Sequence, residues 1–164
     1  DRATAAGKKV ADIAEALLME AGFEVVRTGV VRRDLGLKFP FLVTDRAVGR
    51  QWYIDVAGAF TNARPGMRRA DILWRTLGRA HVLANGHHDD PAGRPRLLLL
   101  TPRLPRAGSE GDRALRAGGG HGFFDALELF DEGALSRLRH YAEASPDRPL
   151  AGFWTEDEVE VRFA

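Results

Sequence analysis

The chain has no cysteine. That absence excludes disulfides, thiolate zinc sites and cysteine nucleophiles together, and it fits a reducing compartment, so the expected location is cytoplasmic. Long apolar runs are missing too. The longest, LLLL at 97–100, is far too short to span a bilayer, and nothing near the N-terminus has the charged-then-apolar order of a signal peptide, so no membrane association is expected. Lysine is scarce: Lys8, Lys9 and Lys38 stand against cations that are otherwise all arginine. A formal net charge of +1 exerts no overall pull toward nucleic acid. Arginine is the better bidentate phosphate ligand, so the informative question is where the arginines gather.

At 164 residues the chain is long enough for one real core and too short for two ordinary domains, so a single domain over 1–164 is expected. It begins at Asp1 rather than Met, as a piece of a longer protein would. Residues 8–21 repeat apolar side chains at helical spacing and stop at Gly22, which predicts a first helix. FEVVRTGVV (23–31), LKFPFLVT (37–44) and RQWYIDVAGAF (50–60) read as strands, the last two forming a hairpin about residues 45–49. After ARPG (63–66) a helix is expected over 67–83, then a loop through NGHHDDPAGRP (85–95). RLLLLTP (96–102) lacks alternation and predicts a buried, parallel-type strand. A short helix near 109–117, a strand beginning at Phe123, a helix over 131–144 and an edge strand at VEVRF (159–163) complete the reading. The implied architecture is α/β, a central mixed sheet flanked by helices.

Two constellations have chemical content. On the 67–83 helix, Ala70, Leu73, Trp74, Leu77 and Ala80 share one face at 100° per residue, and Arg68, Arg75 and Arg79 fall together on the other. With Arg64 and Arg69 at the helix start, that stripe reads either as a phosphate-backbone contact or as an ordinary solvated face. The second constellation is acidic: Glu20 on the first helix, Asp34 before the hairpin, Asp45 in its turn and Asp55 inside the third strand. Asp12 and Glu15 point toward water. Phosphodiester hydrolysis commonly uses carboxylates converging on Mg²⁺, which orients water and neutralises phosphate charge. Asp55 stands apart because a carboxylate in an apolar strand must recover its lost hydration from a metal, a hydrogen-bond donor or an arginine. Alternation places it with Tyr53 and Ala57, away from Trp52, Ile54 and Val56. His87, His88, Asp89 and Asp90 are metal-capable residues in a hydrophilic loop, and AGGGHG (117–122) lacks the spacing and lysine of a phosphate loop.

The element order α-β-β-β-α-β, with an acid late in the third strand and a basic helix after it, resembles the core of the PD-(D/E)XK, or restriction-endonuclease-like, nuclease superfamily. The segments VADIAEALLMEAGFEVV, LKFPFLVTDRAVGRQWYIDVAGAF and GMRRADILWRTLGRAHVL carry the resemblance. FLVTDRAVGRQWYIDVAGAFT in particular is similar to nuclease-like domains of bacterial restriction-modification proteins. The resemblance implies DNA as partner, Mg²⁺ as cofactor, Asp55 as metal ligand, and either a homodimer or other restriction-modification domains alongside. It carries over in part. The family's lysine falls on Ala57 and its second-strand acid falls near Pro40, which leaves Asp34, Asp45 or Glu20 to supply a second carboxylate and Lys38 or an arginine to supply the cation. The same resemblance equally implies, for an eroded motif, a module that binds DNA or a partner without cutting.

Overall fold

The structure is a computed structural model that describes residues 2–59, 65–86 and 95–164. Helix α1 (Arg2–Ala21) leads into three antiparallel strands, β1 (Glu24–Arg32), β2 (Leu37–Thr44) and β3 (Gln51–Val56). A 3₁₀ turn (Gly66–Arg68) and helix α2 (Ala70–Asn85) carry the chain back to β4 (Arg96–Thr101), parallel to β3. Helix α3 (Glu110–Gly118) then returns it to β5 (Asp125–Glu128), parallel to β4, and α4 (Ala134–Ala144) and α5 (Glu156–Arg162) follow. The five strands lie in chain order, β1-β2-β3-β4-β5. The expected α/β class and mixed sheet are therefore the observed ones.

Two cores sandwich that sheet. On one face Val10, Ala14 and Leu18 of α1 and Leu138 and Tyr141 of α4 meet Trp52, Ile54, Leu98 and Leu100. On the other, Leu73, Ala80 and Leu83 of α2 and Leu115 of α3 meet Tyr53, Ala57, Leu97 and Leu99, and Trp154 and Val159 join the same core. β4 feeds both cores from alternate residues, which is why LLLL shows no alternation. No helix of the described residues is long and apolar enough to cross a membrane.

Three expectations need correcting. The tail VEVRF is helix, not edge strand: Thr155 caps α5 by accepting from the Glu158 N–H while Glu158 accepts from the Thr155 N–H, and that capping box overrides the short alternation. The third strand ends at Val56 rather than running to residue 60, because Gly58 takes φ +93° and turns the chain. Trp74 is 62% exposed and does not join the buried face of α2, which is formed by Leu73, Thr76, Ala80 and Leu83.

Candidate functional site

β2 and β3 pair only as far as Phe41–Ile54. The next β2 residue is Pro40, which has no N–H with which to continue the ladder. On its other side β3 remains paired through Val56–Leu100, and the Ala57 N–H still donates to the Leu100 carbonyl at 2.8 Å. The end of β3 is thus held on one side and open on the other. A cleft of about 350 Å³ fills that opening, with Asp55 on its wall and Pro40, Arg75, Thr76 and Arg79 around it.

Asp55 is buried, with 8% of its side chain exposed, and Arg79 of α2 answers it: Nε donates to Oδ2 at 3.2 Å. The same guanidinium donates to the Lys38 carbonyl at the frayed edge of β2 and lies 4.8 Å from the centre of the Phe39 ring. Carboxylate, carbonyl and aromatic face together fix Arg79 under the helix rather than on its outer stripe. Burial pushes the Asp55 carboxyl above its ordinary range, against the charge and hydrogen bond of Arg79, which pull it down. Thr76 contributes no unpaired hydroxyl, since its Oγ1 donates to the Ile72 carbonyl at 2.8 Å.

The other acids singled out in the sequence lie apart from Asp55. Glu20 is exposed on α1, which packs on the opposite face of the sheet. Asp45 is buried at the other end of β3, where it accepts from the Trp52 indole at 3.0 Å and from the Val48 and Arg50 N–H groups at 2.9 and 3.4 Å. Burial works to raise its pKa, and the Ser145 hydroxyl together with those three donors outweighs burial and holds it below the ordinary value. The bonds to Val48 and Arg50 tie Asp45 to the hairpin turn. Asp34 sits in the β1–β2 turn in a two-pronged pair with Arg32, at 2.8 and 3.1 Å, which lowers its pKa.

The arginines also divide. Arg75 reaches the rim of the Asp55 cleft, while Arg68 donates to the Leu104 carbonyl at 3.2 Å and lines a second cleft. Arg69 pairs with Asp71 through two 3.1 Å bonds. Arg64, and with it His87, His88, Asp89 and Asp90, lies outside the described residues.

Comparison with protein-family models, curated proteins and solved structures finds no match to this chain.

The lining of the Asp55 cleft carries the guanidinium groups of Arg75 and Arg79 against one described carboxylate, and Lys38 lends it the carbonyl that Arg79 binds. Mg²⁺ takes oxygen ligands with carboxylate charge among them, and here the single described carboxylate is already neutralised by a guanidinium. A divalent cation would have to displace Arg79 and then sit among the cations, so this described donor set does not fit it. An anionic oxygen suits the same lining.

Sequence reasoning missed two features. Asp125, in the apolar stretch FFDALEL, is completely buried and held by the Tyr141 hydroxyl at 2.6 Å, the Ala126 N–H at 2.8 Å and Arg137 at 3.3 Å. It carried the signal that exposed Asp55, a lone acid in an apolar run. Thr101 has no such signal. Its hydroxyl donates to the Ala57 carbonyl at 2.9 Å and accepts from the Met67 N–H at 3.3 Å, which ties the open end of β3 to the turn before α2.

Proposed function

We propose that this chain is a DNA-binding module of restriction-endonuclease-like architecture, in which the cleft beside Asp55 holds a backbone phosphate and does not cut it. The observed order α1-β1-β2-β3-α2-β4, with β2 running against its neighbours, supports the architectural half of this reading. The functional half rests on one observation: the single described carboxylate of the cleft is paired with Arg79, leaving Arg75 as surplus positive charge on the lining. Arg75, exposed at the rim, is the first group a phosphate would meet. Hydrolysis through a carboxylate-held Mg²⁺ would use a second acid at the cleft, and among the described residues Asp34, Asp45 and Glu20 each lie elsewhere.

The test is a salt titration of duplex-DNA affinity together with a plasmid assay. Affinity should fall steeply as salt rises, and Arg75→Gln should reduce the slope of log K against log salt by about one unit. Supercoiled plasmid should stay supercoiled with Mg²⁺ or Mn²⁺. Nicking by the natural chain that Asp55→Asn removes would overturn the non-cutting reading, and salt-independent or absent binding would overturn the nucleic-acid reading altogether.

A further inference from the structure

Trp74 departs from the sorting of α2. Leu73 before it is 3% exposed, whereas the Trp74 indole, one step around the helix, is 62% exposed. The other two tryptophans, Trp52 and Trp154, are fully buried. Trp74 stands on the wall of a cleft of about 530 Å³ between the start of α2 and the segment 105–111, a volume in the range of small-ligand sites. Pro105 and Gly111 form the opposite wall. A Cβ on Gly111 would lie 3.2 Å from Leu73 Cδ2 and 3.3 Å from Pro105 Cβ, so glycine lets the two walls approach closely. Arg68 and Arg106 supply positive charge to the lining, and Glu110, in the first turn of α3, is the one acid on it among the described residues.

Resting on the nucleic-acid reading above, we propose that this second cleft takes an unpaired nucleotide, its base stacked on Trp74 and its phosphate met by Arg68 and Arg106. A flat aromatic flanked by guanidinium groups recognises a π-face and an adjacent anion, a combination every nucleotide offers. In a duplex the base faces are hidden in the stack, so the indole reaches them only where strands end or separate. Trp74 is followed in the chain by Arg75 at the rim of the Asp55 cleft, so one helix places a base platform beside a phosphate contact. The module is therefore built for DNA with a single-stranded stretch next to its duplex.

The experiment measures binding of the full chain to a labelled oligothymidine of about 15 nucleotides and to a duplex of the same length, at low salt. Trp74→Ala should weaken single-strand binding roughly tenfold and duplex binding less than about twofold, with Trp74→Phe in between, since one stacked base is lost. Single-strand binding should also quench the solvent-facing part of the tryptophan fluorescence, which belongs to Trp74. Single-strand affinity unchanged in Trp74→Ala, or equal losses on both DNAs, would overturn the subsite while leaving the phosphate-binding reading standing. No binding of either DNA by the natural chain would overturn both.

Discussion

At Asp55 and Asp125 a carboxylate has left water inside an apolar strand, and in both cases an arginine of the following helix restores part of what was lost: Arg79, 24 residues on, and Arg137, 12 residues on. Removing such a partner leaves a buried charge with nothing to answer it. Arg79→Leu should therefore cost about 2–3 kcal/mol in urea unfolding, at the low end for a buried pair because a quarter of the Arg79 side chain meets solvent. In an Asp55→Asn background the same change should cost clearly less, and equal costs in both backgrounds would deny the pairing. The two acids also set a pH slope. Burial pushes the Asp125 carboxyl from 3.8 up to about 6, against its hydrogen bond from Tyr141 and the charge of Arg137. The folded chain thus holds that proton more tightly than the unfolded chain. The resulting stabilisation is complete below about pH 4 and is lost as pH rises through 6, a swing of roughly 3 kcal/mol. Asp55 is shifted in the same direction. Stability measured from pH 4 to 7 should fall in the natural chain and be flatter in Asp125→Asn; parallel profiles would contradict the assignment. The need for a partner is legible in a sequence wherever a single acid interrupts an apolar strand. Its identity is not, because Arg79 meets Asp55 only after α2 has folded back over the sheet.

Elements were readable in proportion to their length and the consistency of their pattern. The β2 bounds 37–44 coincide in sequence and structure, and α2 was found within a few residues, since its buried residues recur at helical spacing over about three turns. Its faces were misjudged at both Trp74 and Arg79. Hydrophobicity placed the indole inside and charge placed the guanidinium outside, whereas packing left Trp74 at a cleft and drew Arg79 toward Asp55. The last element failed for the opposite reason: two valines alternating with charge look like a strand, and a capping box four residues earlier decides for helix. That signature, Thr155 with Glu158 three residues on, was in plain view. Thr155→Ala should accordingly cost about 1 kcal/mol and Thr155→Ser very little. Glu158 also pairs with Arg116 of α3, so Glu158→Ala should cost more than Thr155→Ala. Thermal unfolding of the three variants ranks them, and a Glu158→Ala cost below that of Thr155→Ala would mean that the α3–α5 pair adds nothing.

For the molecule as a whole, the decisive arrangement is the place where β3 and β4 end together and the chain crosses itself on the way to α2. Both clefts border this region, and its geometry depends on contacts no local pattern announces. A Cβ added to Gly58 would sit 2.4 Å from Gly66 Cα and 2.9 Å from Gly66 N, and both obstacles are backbone that cannot swing aside. One added to Gly66 would strike Thr101 Oγ1 and the backbone of Arg103. Gly58 and Gly66 also take positive φ, +93° and +60°, which a side chain opposes on its own account. Gly49, at φ +69° with nothing within 4 Å, separates the two penalties. Gly49→Ala should cost about 1–2 kcal/mol from backbone conformation alone, and Gly58→Ala about 3 kcal/mol or more because the crossing must open as well. Opening it pulls the turn at 66–68, which carries Arg68, away from Thr101, and with it the start of α2, which carries Trp74. At temperatures where Gly58→Ala remains folded, its DNA affinity should fall beyond that of Gly49→Ala. Equal stability losses in the two variants would mean that the crossing is not the joint that places the clefts.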